Sequence, residues 1–115
     1  MEEKRQYPRY ACPGGVEIHI PDTHRRLWGH LGDISKGGLY LEAPEPWLVG
    51  TEVDVHLETC DTHIHAVGTI VTCHPGVGMG IAFKAVDPQD LTAFEKAIQG
   101  LASTGDGRAI AVTTG

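Results

Sequence analysis

Two arginines lie four positions apart near the start of the chain, in the segment Arg5-Gln6-Tyr7-Pro8-Arg9. Each guanidinium is a planar fork of donors that fits a phosphate group or the O6 and N7 acceptors of guanine, and it also stacks on aromatic rings. Pro8 disfavours helix for Tyr7, so the segment is expected to be extended. Two arginines on an extended arm could close over a purine nucleotide, although a basic terminus by itself is also typical of a solvated segment.

A second polar segment, Asp33-Ile34-Ser35-Lys36-Gly37-Gly38, combines an acceptor, a donor and adaptable backbone. The carboxylate of Asp33 can accept from the N1–H and the exocyclic amine of guanine, and the Ser35 hydroxyl can donate to a phosphate or a base. Gly37 and Gly38 permit positive φ and a close approach of the backbone. Ordinary turns prefer the same residue types, so a turn without a ligand is the alternative interpretation.

Short alternating runs surround these two segments and predict an all-β domain. Apolar and polar residues alternate in most of the runs, and Gly, Pro or Asp residues separate them, as in antiparallel barrels and sandwiches. The expected strands are 16–20, 27–33, 39–42, 53–59, 63–73 and 80–83. Short strands joined by tight turns favour an antiparallel barrel.

A single helix is expected after the last strand, over residues 87–101. Asp87-Pro88 matches an N-cap followed by proline at the first helical position. The apolar positions that recur at helical spacing, and are expected to lie on the barrel, are Leu91, Phe94, Ile98 and Leu101. Residues 102–115 are mostly small and polar, so a disordered tail is expected there.

Taken together, the two polar segments resemble the signature of the PilZ domain family, which is R-x-x-x-R ahead of the first strand and D/N-x-S-x-x-G later. Here the motifs stand as Arg5-x-x-x-Arg9 and Asp33-x-Ser35-x-x-Gly38. Residues 78–83 are similar to the family's glycine-containing last strand, and residues 87–101 are similar to its closing helix. The resemblance therefore covers about residues 4–101.

This resemblance implies a six-stranded antiparallel β-barrel in residues 1–101, closed by a C-terminal helix, that binds cyclic di-GMP and needs no cofactor. The implied ligand-binding residues are Arg5, Arg9, Asp33, Ser35 and Gly38, with Lys4 and Gly37 as further candidates. Residues 1–10 are expected to form a flexible ligand-binding arm.

The implied function is that of a receptor or adaptor that converts the level of the second messenger into a changed protein-interaction surface. An effector protein would recognise that surface and regulate motility, biofilm or polysaccharide pathways. The alternative is a constitutive protein-interaction module with the same barrel, independent of nucleotide.

Composition narrows the remaining classes of function. The 115 residues carry a net charge of -6, which disfavours binding to nucleic acid polymers, single strands included. The charged start lacks the apolar core of a signal peptide, and no apolar run is long enough for a membrane helix. A cytoplasmic protein without membrane insertion is therefore expected. No catalytic set is recognisable, which predicts that the protein is not an enzyme.

The histidines and tryptophans have simpler expected roles. Cys60-x-x-His63-x-His65 lacks a second ligand pair at the usual spacing, so no metal site is predicted. These histidines are instead expected on the solvent side of a hairpin. Trp28 and Trp47 are expected to pack in the core or in a lid of the barrel.

Overall fold

The computed structural model describes residues 7–59 and 62–104 of the chain. Its elements are the strands β1 (Tyr10–Ala11), β2 (Gly15–His19), β3 (Arg26–Ser35), β4 (Gly38–Glu42), β5 (Glu52–Thr59), β6 (Thr62–His74) and β7 (Gly78–Val86), and the helix α1 (Pro88–Thr104). Lys4 and Arg5 of the predicted site, and residues 105–115 of the predicted tail, lie outside the described residues.

Strands β2 to β7 close into a six-stranded antiparallel barrel. Their order is β3-β2-β5-β6-β7-β4, and a further pairing between β3 and β4 completes the circle. The expected barrel with a closing helix is therefore confirmed. The two-residue strand β1 pairs with the second half of β3, beyond the half that pairs with β2. It was not expected, because two residues are too few to show alternation.

Alternation within the strands sends every second side chain into the barrel. The buried apolar positions of β2 and β5 are Val16, Ile18, Val53, Val55 and Leu57. These branched side chains join apolar residues from the other strands in one core. Because a slip by one residue would turn each strand inside out, the core fixes the register, and with it the residues that face outward.

Helix α1 begins where the sequence predicts. Asp87 Oδ1 accepts from the Gln89 N–H at 3.2 Å, so Asp87 is the N-cap and Pro88 the first helical residue. The helix ends at Thr104 rather than at residue 101, so the first residues of the predicted tail are helical. Among the residues described, no helix has the length and apolar character needed to cross a membrane.

One position of the predicted apolar stripe of α1 points away from the barrel. The other three positions are buried, whereas Leu91 is 42% exposed. The first helical turn instead directs Asp90 toward β6, where its carboxylate accepts the backbone N–H of His65 at 2.9 Å. Asp90 precedes the buried Phe94 by one turn and so occupies the barrel-facing position. Leu91, about 100° further round the helix, is therefore left facing solvent.

The two tryptophans differ in burial. Trp47 packs against the core, and the Arg25 guanidinium lies over its ring, 5.2 Å from the centroid. Trp28 is 61% exposed, so the expectation that it packs in the core or a lid is wrong. Its neighbour Gly29 faces inward, and alternation therefore directs the Trp28 indole to the outer wall, where it lies against Gly15.

Candidate functional site

The predicted segment 33–38 forms the tight hairpin between β3 and β4. Ser35 and Gly38 are the last paired residues, and Lys36 and Gly37 form the turn. The Gly37 N–H donates to Ser35 Oγ at 3.1 Å, and the Ser35 hydroxyl donates to the Gly38 carbonyl at 3.4 Å. The second bond is long, so the hydroxyl hydrogen can be redirected to a ligand acceptor.

Gly38 is required by the close packing of two strands. A Cβ atom at position 38 would lie 2.1 Å from the Ile81 carbonyl oxygen on β7. Glycine permits positive φ, but the described glycines that adopt it are Gly50 and Gly76, so Gly37 and Gly38 do not use this freedom. A close approach of this backbone to a ligand stays a prediction, and the close approach that the structure shows at Gly38 is to a neighbouring strand. Its cause is the pairing of β4 with β7, which brings the Ile81 carbonyl against the position of the missing side chain.

Arg9 and Asp33 form a bidentate ion pair between the N-terminal segment and β3. Arg9 Nε donates to Asp33 Oδ1 at 3.0 Å, and Arg9 Nη2 donates to Asp33 Oδ2 at 2.6 Å. The exposed fractions of the two side chains are 28% for Arg9 and 14% for Asp33. The pair occupies one edge of the guanidinium and leaves Nη1 and the second N–H of Nη2 to donate elsewhere.

An open cleft on the outer side of the barrel brings the predicted site residues together. Its volume of about 360 Å³ lies within the usual range of small-molecule sites. The predicted residues that line it are Arg9, Asp33, Ser35, Gly37 and Gly38. Tyr40, Thr72, His74 and Gly80 also line it. Every predicted site residue within the described range therefore borders the same cleft.

Comparison with known families identifies the domain. The profile of the PilZ domain family matches residues 3–100. The chain belongs to the PilZ domain family. No curated protein sequence matches it.

Two solved structures share the fold of this PilZ domain. The inhibitor of motility of Bacillus subtilis (MotI/DgrA) has a TM-score of 0.69 and 15% identity, over 90% of this chain and 54% of that chain. The PilZ domain of YcgR from Escherichia coli, solved with c-di-GMP, has a TM-score of 0.69 and 17% identity, over 87% of this chain and 92% of that chain. The present chain thus spans only 54% of the B. subtilis protein, and the likeness to both is one of fold.

Tyr40 and His74 are cleft residues of this PilZ domain that lie outside the signature motifs. Tyr40 is the strand partner of Asp33, and the Tyr40 hydroxyl is 2.9 Å from Nδ1 of His74. Burial and, next, the Asp33 carboxylate raise the pKa of Tyr40, so the phenol stays protonated. Tyr40 could have been found from the sequence, because it lies two residues after Gly38 and alternation puts both on one face. His74 could not, because its position depends on the register of β6 against β7.

The described part of the predicted arm is tied to the barrel. Tyr10 is 8% exposed and pairs with Ile34 of β3, and the adjacent Arg9 is held by Asp33. Tyr7 is 42% exposed and lines the cleft. Residues 1–6, which include Lys4 and Arg5, lie outside the described residues. The flexibility of the arm therefore stays a prediction, and it concerns the part ahead of Arg9.

The histidines of the β5–β6 hairpin lie on its solvent side, as expected. His56 and His65 stack with ring centroids 4.7 Å apart, and His63 Nδ1 is 3.4 Å from Glu58 Oε2. Burial and, next, the neighbouring His65 lower the pKa of His56. Within residues 7–59 and 62–104, no three potential ligands are grouped so that they could hold a metal ion.

Proposed function

We propose that this PilZ domain is a receptor for cyclic di-GMP, which binds in the cleft beside Arg9 and Asp33. The observation that carries the proposal is the convergence of Arg9 with the 33–38 hairpin on one open cleft, although β2 separates the two segments in the chain. A guanidinium fork, a carboxylate and a hydroxyl together match the acceptors and donors of a guanine nucleotide. Arg5, four residues ahead of Arg9, is proposed as the second arginine of the site.

Arg9 would contact the ligand with the edge that Asp33 leaves free. Nη1 and the second N–H of Nη2 can donate as a pair to O6 and N7 of guanine or to a phosphate. Both oxygens of Asp33 keep lone pairs, with which they can accept from the N1–H and the exocyclic amine of guanine. Adenine carries an amino group in place of O6 and lacks the 2-amine, so both contacts favour guanine.

The fold neighbours support this choice of ligand and of pathway. The YcgR PilZ domain was solved with c-di-GMP, and the B. subtilis protein is named as an inhibitor of motility. We therefore propose that this domain acts in the control of motility, or of biofilm and polysaccharide pathways.

The ligand would act by shifting a conformational equilibrium, without catalysing a reaction. A ligand shifts such an equilibrium only by its difference in affinity for the two states. Tyr7 borders the cleft on one side and, on the other, a groove along α1 that is lined by Pro8, Lys36 and Ile98. Closure of the arm over cyclic di-GMP would therefore change this second surface, which an effector protein could recognise.

Isothermal titration calorimetry with cyclic di-GMP tests the proposal. The wild-type domain should bind, and Arg9→Ala should weaken binding about 5- to 150-fold, which corresponds to the roughly 1–3 kcal/mol of a bidentate arginine contact. Arg26→Ala, which removes an exposed arginine of β3 outside the cleft, is the matched control and should bind as the wild type does. Absence of binding by the wild type would favour the constitutive interaction module instead. Equal affinities of Arg9→Ala and the wild type would mean that the ligand binds elsewhere.

A further inference from the structure

The side chain of Tyr40 crosses over a neighbouring strand. Tyr40 belongs to β4, and its hydroxyl meets Nδ1 of His74 on β6 at 2.9 Å. Strand β7 lies between these two strands, with Gly80 directly opposite Tyr40 and Gly78 directly opposite His74. The phenol ring therefore bridges β4 and β6 across the outer side of β7.

Two glycines of β7 make this crossing possible. A Cβ atom at Gly78 would lie 2.7 Å from Tyr40 Cε2, and one at Gly80 would lie 3.9 Å from Tyr40 Cδ1. On the other flank, a Cβ atom at Gly32 of β3 would lie 3.4 Å from Tyr40 Cδ2. The ring thus lies over positions that carry no side chain, and larger residues at Gly78 would displace it.

The position of the ring places an aromatic surface beside the polar groups of the cleft. The underside of Tyr40 meets the glycine positions of β7, and Tyr40 and His74 both line the cleft that contains Arg9 and Asp33. Asp33 is the strand partner of Tyr40. A planar base resting on this ring would therefore have its edge within reach of the carboxylate and the guanidinium.

We propose that Tyr40, supported from below by Gly78 and Gly80 and held at its hydroxyl by His74, is a stacking platform for a guanine base of the ligand. This proposal rests on the proposed function and adds to it a second mode of recognition. Arg9 and Asp33 recognise the edge of the base, whereas Tyr40 contacts its face. Stacking on an aromatic ring tolerates any base, so Tyr40 should contribute affinity and the polar pair should contribute selectivity.

Substitutions at Tyr40 distinguish a ring that stacks on the base from a side chain that only packs over Gly78 and Gly80. Tyr40→Phe keeps the ring and loses the bond to His74, so its affinity for cyclic di-GMP in calorimetry should stay within about threefold of the wild type. Tyr40→Leu keeps an apolar side chain without a ring, and its affinity should fall roughly 5- to 150-fold, as for loss of one base–aromatic stack. Thermal melting establishes that each variant is folded, and Tyr40→Met replaces Tyr40→Leu if the latter does not fold.

The guanine H8 resonance of bound cyclic di-GMP provides a readout that coverage alone would not change. Stacking of a guanine on an aromatic ring moves this NMR resonance upfield through the ring current. The upfield shift should persist in Tyr40→Phe and in the matched control Trp28→Leu, which removes an exposed aromatic side chain outside the cleft. It should be lost in Tyr40→Leu.

The possible failures are distinguishable. If Tyr40→Leu binds as tightly as the wild type while Arg9→Ala binds weakly, the platform is wrong and the proposed function stands. An upfield shift of the guanine H8 resonance that persists in Tyr40→Leu would also overturn the platform. If the wild type does not bind cyclic di-GMP, both proposals fail.

Discussion

Removal of the Asp33 carboxylate tests how the two signature motifs cooperate. In Asp33→Ala, Arg9 loses both acceptors that hold its Nε and Nη2, at 3.0 and 2.6 Å. The freed arginine must then be immobilised by the ligand itself, at a cost of about 0.5–1.5 kcal/mol for a side chain with many rotamers. This cost corresponds to an affinity for cyclic di-GMP that is about 2- to 12-fold weaker. Any direct contact between Asp33 and the base would increase the loss.

The sign of the effect distinguishes two roles for the ion pair. If Asp33 orients Arg9, its removal weakens binding. If the ligand must displace Asp33 from Arg9, removal of the carboxylate strengthens binding, because a competing partner is gone. The geometry favours orientation, since Asp33 occupies one edge of the guanidinium and leaves Nη1 free for a ligand.

Calorimetry on Arg9→Ala, Asp33→Ala and the double variant forms a double-mutant cycle. If Asp33 acts only through Arg9, Asp33→Ala changes nothing further once Arg9 is absent. A residual loss in that background measures a direct contact with the base, and it should be smaller for cyclic di-AMP than for cyclic di-GMP. Asp54→Ala, which lies outside the cleft beside His19, is the matched control. Tighter or unchanged binding by folded Asp33→Ala would refute the orienting role.

Three further predictions concern stability and the arm. Gly38→Val should destabilise the barrel by about 1–3 kcal/mol or more in urea unfolding, because its Cβ would lie 2.1 Å from the Ile81 carbonyl oxygen; an unchanged midpoint would contradict this packing. Because the pKa of His56 is lowered in the folded state, the unfolded chain binds more protons below about pH 6.5, so the free energy of unfolding should decrease as the pH is lowered through this range. The decrease should be smaller in His56→Gln, and parallel pH profiles of the two proteins would contradict this prediction. Deletion of residues 1–9 should abolish binding of cyclic di-GMP. It should leave the thermal transition nearly unchanged, because Tyr10 and its pairing with Ile34 remain. If the shortened chain still binds, the arm is not part of the site.

Local chemistry made much of this domain predictable from its sequence. The alternation of apolar and polar residues in 16–20 and 53–59 predicts strands from the local sequence alone. Asp87-Pro88 likewise predicts the start of a helix without information from the rest of the chain. The sequence also placed residues 33–38 between the end of one strand and the start of the next, where Ser and Gly suit a tight turn.

Features that depend on contacts between distant segments were not predictable. Leu91 faces solvent because Asp90 accepts a bond from β6, and helical periodicity contains no information about that partner. Gly38 is required by the Ile81 carbonyl, and that contact exists only when β4 pairs with β7. The crossing of Tyr40 to His74 needs the register of three strands at once, which no single run of residues encodes.

An amide NMR titration of the isotopically labelled chain with cyclic di-GMP tests the location of the site most directly. The account predicts that the largest shifts fall on residues 33–38 and on the facing residues of β7, with the side-chain N–H of Arg9 also perturbed. The indole N–H of Trp28, exposed outside the cleft, should stay unchanged and serves as the internal control. Shifts that centre on Trp28 or on α1 while the 33–38 hairpin stays unperturbed would contradict the account.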